Sequence, residues 1–208
     1  MSVHLSRGQA DTRERLLDAA AHVMRTLGFA RTTTKEIARA SGYSEATIYK
    51  HFPDKTALFL AVLHERLPSF GQFVAELDRD PSDGSVRDRL CAVATAAIGF
   101  YLEGFPVSAS IFAEPALLAA HRTALAARGA GPRHPLTALT DYLSAEQRRG
   151  RIRAEADCAG AAALLLGACF QYAFFCCFEQ RQPAADEVGA HAAEVTRALL
   201  AGIGAGGG

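Results

Sequence analysis

The chain has no stretch in which apolar and polar residues alternate convincingly, which argues against half-buried β-strands. It carries no internal repeat. The signatures of the common enzyme classes are missing too. There is no Gly-x-Ser-x-Gly, no phosphate-loop motif, and no Gly-x-Gly-x-x-Gly after a predicted strand. His64-Glu65 lacks the second histidine of a zinc-protease helix. Asp18 and His22 lie one turn apart, on a face expected to be solvated. Cys176 and Cys177 are adjacent, so on a helix they diverge by roughly 100° and do not readily face one metal. No catalytic residue, metal ligand or cofactor is expected, and the chain is not read as an enzyme.

Net charge is lacking as well, with 22 basic against 22 acidic residues, so there is no global basic footprint. The distribution is uneven, however. Residues 1–66 hold ten Lys/Arg against seven Asp/Glu, whereas the remainder holds twelve against fifteen. A mildly basic first third on a mildly acidic body fits a nucleic-acid-facing head. The five cysteines, Cys91, Cys158, Cys169, Cys176 and Cys177, are odd in number, and most sit in apolar stretches. Met1-Ser2-Val3-His4 leads straight into polar sequence, without a signal peptide. Reduced, buried thiols in a cytoplasmic protein are the expectation.

What is present is a 3.6-residue apolar period and abundant alanine, which together predict an all-α fold. Residues 1–10 read as an arm. A helix is expected from Asp11, whose spacing to Glu14 resembles a capping box, with Leu16, Ala20, Val23, Met24 and Leu27 on one stripe and Gly28 at its end. Thr33-Thr34-Lys35-Glu36 opens a short second helix, broken at Ser41-Gly42-Tyr43. Ser44 caps a third, to about His51, and Asp54 caps a fourth from Lys55. Residues 78–84 form a linker. Helices are then predicted from Ser85 to about Glu103, from Phe105-Pro106 to about His121, from Leu136 to about Gly150, from Asp157 to about Gln180, and from Ala184 to about Ile203, before a glycine tail.

Short helix, glycine turn, short helix is the helix-turn-helix shape. Ala38 is small where the paired helices cross, Gly42 supplies the positive φ of the turn, and Ile48 points back into the core. Gly28-Phe29, Thr33-Thr34-Lys35-Glu36-Ile37-Ala38, Ser41-Gly42-Tyr43-Ser44 and Thr47-Ile48-Tyr49-Lys50-His51-Phe52, followed by Asp54-Lys55 and Leu58, closely resemble the tetracycline-repressor (TetR) family over residues 11–63. The resemblance implies a three-helix helix-turn-helix DNA-binding domain at 11–55 and a helical effector-binding and dimerisation domain at 56–203. It further implies a homodimer, usually a repressor, released from its operator by a small effector.

The second of the paired helices is the one expected in the major groove of double-stranded DNA. Its candidate base-facing residues are Ser44, Glu45, Ala46, Thr47 and Lys50. Glu45 can accept from a cytosine amino group or simply stabilise the helix dipole, and Lys50 can reach guanine or a phosphate. Thr34, Lys35, Tyr49, His51 and Lys55 are the expected phosphate contacts; for the Thr, Tyr, His and Lys positions the family resemblance implies the same. Packing of the Tyr49 ring against the first helix is the alternative for that residue, and Phe52 reads as core. Two heads on a two-fold axis would read a palindromic operator.

Residues 159–178 contain no charge, and Arg148, Arg149, Arg151 and Arg153 precede them, so a membrane-anchored regulator is one alternative. Eight of those twenty are Ala or Gly, however, which favours a buried helix and no membrane. Small residues such as Ala163 and Gly167, with Val188, Ala192, Val195, Leu199 and Leu200 as their packing partner, suggest a four-helix homodimer interface built from the last two helices, an entirely intramolecular core being the alternative. Phe100, Glu103, Phe112, His121, Tyr142, Gln171, Tyr172 and Phe175 are candidates for contacting a mostly apolar, weakly charged effector. A thiol-responsive regulator using Cys169 or Cys176 is a further alternative.

Overall fold

A computed structural model describes residues 2–28, 31–66 and 85–203. The linker expected at 78–84, the glycine tail beyond Ile203 and Phe29 lie outside the described residues. Those described form helices α1 (Ser2–Leu27), α2 (Thr34–Ser41), α3 (Glu45–His51), α4 (Lys55–Glu65), α5 (Val86–Ala113), α6 (Pro115–Ala126), α7 (His134–Arg148), α8 (Cys158–Phe178) and α9 (Ala185–Ile203). No strand occurs among them. Residues 1–67 with 106–129 make one compact unit, and 68–105 with 130–208 make the other. The first unit thus takes in α4, the end of α5 and α6 as well as residues 11–55.

Side-chain caps define the short helices of the first unit. Thr33 and Glu36 exchange both bonds of a capping box, Ser44 accepts from the Thr47 N–H, and Asp54 accepts from the Ala57 N–H. Gly42, at φ 75°, closes α2 in the left-handed region, where a side chain would be strained. Leu16, Leu17, Ile37, Ile48, Leu58 and Phe59 are sealed beneath, each worth about 1.5–3 kcal/mol of burial. Arg13 grips Glu65 through both guanidinium nitrogens, at 2.6 and 2.8 Å, and Arg66 reaches Glu14 and Asp18, tying the end of α4 to α1. Phe52 is buried, with the Arg13 guanidinium 5.4 Å from its ring centre.

Two expected boundaries are corrected. α1 begins at Ser2, so Asp11 lies inside the helix and does not cap it. Once Leu16, Leu17 and Ala20 anchor α1, extending it upstream requires only propagation, which is far easier than nucleation. Likewise, α5 does not end near Glu103 but runs through Phe105 and Pro106 to Ala113. Proline lacks the N–H that would bond to the Leu102 carbonyl four residues back. The Cys177 thiol of α8 approaches that same carbonyl at 3.8 Å, a weak replacement donor. The chain breaks instead at Glu114, and Pro115 opens α6, where a missing N–H costs nothing.

In the second unit, Leu90, Val93, Ala94, Ala97 and Ile98 of α5 pack with Leu139 and Leu143 of α7 and Ala162, Leu165 and Cys169 of α8. Val188 and Ala192 of α9 are buried in the same core, and Val195, Leu199 and Leu200 pack against it. Glu146 is wholly buried between Arg149 and Arg151, which hold its carboxylate at 2.7 and 2.5 Å. α8 is long and apolar enough to cross a membrane. Its Ala161, Ala162, Leu165, Leu166, Cys169, Ala173 and Cys176 are nevertheless buried within the chain.

Candidate nucleic-acid interface and effector residues

The helix-turn-helix is built by α2, the Gly42 turn and α3. Ile48 faces inward at 1% exposure, which turns the opposite side of α3 to solvent. Ala46 and Lys50 are exposed there, with Ser44 and Glu45 exposed at the helix start and Thr47 half-buried beside them. Ser44 and Thr47 are joined through their hydroxyls at 2.9 Å, so the capping side chain is already engaged.

Tyr49 is 50% exposed, so its ring is not core. Its hydroxyl lies 3.4 Å from that of Thr34, at the start of α2, and the Thr34 hydroxyl donates to Glu45 Oε2 at 2.6 Å. Sequence reading missed this Thr34–Glu45 link, because a contact across eleven residues leaves no helical period. Lys35 is exposed, and His51 is half-buried beside Phe52. Lys55 is also half-buried; burial pushes its ammonium pKa down, against the upward pull of Glu114 and Glu36.

The effector candidates are divided between the two units. Phe112, 75% exposed, and His121 belong to the first. His121 stacks on His64 of α4 with ring centres 5.9 Å apart. Burial lowers the pKa of both imidazoles, and Arg128 adds to the effect at His64. Phe100, Glu103, Tyr142, Gln171, Tyr172 and Phe175 belong to the second unit. There Glu103, Gln171 and Phe175 are exposed, while Tyr172 stacks on His191 at 4.2 Å, with the Arg181 guanidinium 5.9 Å from its ring centre. Tyr142 is half-buried, and burial raises its phenol pKa, with Glu146 adding to the rise.

Aromatic contacts join Tyr101 and Phe105 of α5 to Phe170 and Phe174 of α8, at 4.9–5.9 Å, and the candidates Phe100 and Phe175 lie against Tyr101 and Phe174 at 5.5 and 5.8 Å. The sequence offers Tyr101, Phe105, Phe170 and Phe174, with Phe100, Phe112, Tyr142, Tyr172 and Phe175, as aromatic residues that would make a cavity apolar. The spacing of four on each helix, Tyr101 to Phe105 and Phe170 to Phe174, was the available signal. A groove of about 360 Å³ in the first unit is lined by His22, Val23, Thr26, Leu27, Glu36, Arg39 and Ala40, none of them an effector candidate. Cys169 and Cys176 are fully buried, and burial pushes the Cys169 thiol up to about 12. The thiolate is the reactive form, so this environment works against a sensing role for Cys169.

Two family models account for most of the chain. Residues 16–62 match the bacterial regulatory proteins of the tetR family, and residues 109–203 match the C-terminal domain of AefR-like transcriptional repressors. The chain belongs to the TetR family. Among curated TetR-like relatives, the uncharacterised HTH-type transcriptional regulator YvkB of Bacillus subtilis is 38% identical over 33% of this chain and 36% of its own length. A second, Mb2274c of Mycobacterium bovis, is 35% identical over 41% of this chain and 42% of its own. The matches therefore span about two-fifths of those relatives.

Solved structures extend the likeness along the whole fold. A chain described as a TetR-family transcriptional regulator from Mesorhizobium loti is 22% identical, with a TM-score of 0.71 over 94% of this chain and 98% of that one. FadR of Bacillus subtilis, solved in complex with stearoyl-CoA, is 18% identical, with a TM-score of 0.65 over 91% and 98%. At this identity, both establish the fold alone. The chain is accordingly an all-α member of the TetR family with an N-terminal helix-turn-helix.

Proposed function

We propose that this TetR-family regulator acts as a repressor, a homodimer binding a palindromic operator and released by a small, mostly apolar effector. The observation that carries the DNA reading is the exposed outer face of α3, held by the buried Ile48 on a capped and clamped head. Ala46, the Thr47 methyl and Lys50 face base edges, with Ser44 and Glu45 at the helix start. Thr34, Lys35, Tyr49, His51 and Lys55 meet the phosphates. Two heads then read half-sites about one helical turn or more apart.

The dimer is formed by α8 and α9. On α8, Ala163, Leu164, Gly167, Phe170, Phe174, Phe175 and Phe178 remain exposed in the single chain, a stripe at helical spacing that a second copy can cover. An apolar effector suits the aromatic residues of α5 and α8; FadR, a structural relative, was solved with stearoyl-CoA, whose acyl chain is apolar while its coenzyme A part carries phosphates. Selection of bound duplexes from a random pool by the purified protein at physiological salt tests the reading. Enrichment of an inverted repeat is the expected result, and no enrichment by an intact dimer would overturn it.

A further inference from the structure

Thr34, Glu45 and Tyr49 form a chain of hydrogen bonds with one possible direction. Thr34 has a single hydroxyl proton and gives it to Glu45 Oε2 at 2.6 Å. A carboxylate has none to return, so the 3.4 Å approach between Tyr49 and Thr34 runs from the tyrosine to the threonine. Both hydroxyl protons therefore point inward, along a path that ends on Glu45. Glu45 and Tyr49 lie one turn apart on α3, on the stripe turned toward α2. Ala46 and Lys50, also one turn apart, form the adjoining stripe.

This arrangement bears on DNA binding because phosphate oxygens only accept. A phosphate contact donated by the Thr34 side chain needs the one proton now directed to Glu45, whereas a contact from Tyr49 gives up only its longer approach to Thr34. Making the Thr34 contact strips the carboxylate of its donor and brings a second anion close to it. A charged group left unpaired at an interface is costly, so a duplex that offers nothing to Glu45 is penalised. A cytosine amino group within reach of α3 removes that penalty.

We propose that Glu45 is a conditional specificity determinant, which the Thr34 hydroxyl, itself approached by Tyr49, holds in the free protein and releases to the bases when it turns to a phosphate. It discriminates chiefly by weakening binding to wrong sequences. The inference rests on α3 being the DNA-reading helix and adds how one of its residues selects.

The test compares full-length wild type, E45A and E45Q for equilibrium binding to the duplex that wild type enriches and to a scrambled duplex of equal length, at one salt concentration. Melting temperatures confirm that each variant is folded. Both variants should bind the scrambled duplex more tightly and the enriched duplex no better, lowering discrimination by at least about fivefold, the low end for one base contact. Equal tightening on both duplexes would mean simple charge repulsion and overturn the proposal. Weaker binding confined to the enriched duplex would make Glu45 an ordinary base reader and overturn it as well. A wild-type protein that enriches no sequence would sink the DNA reading itself, an outcome visible before either variant is made.

Discussion

The first and second units use helices in opposite ways. In the first, α2, α3 and α4 are 7 to 11 residues long, and each starts on a side-chain cap. The outward faces of α2 and α3 are mostly polar, and ion pairs from Arg13 and Arg66 tie α4 to α1. In the second, α8 runs for 21 residues and leaves Leu164 70% and Phe178 77% exposed. Short capped helices can hold hydroxyls, amines and backbone N–H groups at defined points, which suits a partner lined with phosphates. A long apolar helix with an uncovered stripe suits a partner that removes area from water, where shape matters more than any single polar group.

Ile48→Ala, at the 1% exposed anchor of α3, should cost about 2–5 kcal/mol and abolish operator binding, read by denaturant unfolding and gel shift. Were Ile48→Ala to bind as wild type does, the head would not depend on its core as described. Leu164→Glu, on the uncovered face of α8, should leave the chain folded yet shift it from dimer to monomer by sedimentation. A variant that remains dimeric would place the homodimer contact elsewhere. The smallest effect is expected from Lys55→Ala, which should weaken all duplexes alike and reduce the slope of log affinity against log salt by about 0.9. An unchanged slope would remove Lys55 from the phosphate contacts.

Local structure is largely legible in the sequence. Thr33, Gly42, Ser44 and Asp54 carry out the capping and turning roles their residue types predict. The inward positions of Ala38 and Ile48 follow from helical spacing. The start of α1 was misplaced because Asp11 and Glu14 satisfy a capping pattern equally well inside a helix. The effector residues were the least legible. Aromatic residues that will be core, interface or pocket lining have the same composition and period, and Phe112 and Phe175 prove to be exposed while Tyr172 is stacked on His191.

By itself, then, the sequence determined the helix-turn-helix, its caps and turn, and the all-α class, since each rests on residues three to ten positions apart. Tertiary structure decided that α5 continues through Pro106, where the Leu102 carbonyl meets a thiol 75 positions away. It also decided that Glu45 is held by Thr34, and which side of α8 stays uncovered. These features depend on groups brought together from separate helices, and no spacing along the chain encodes which of several suitable partners will arrive.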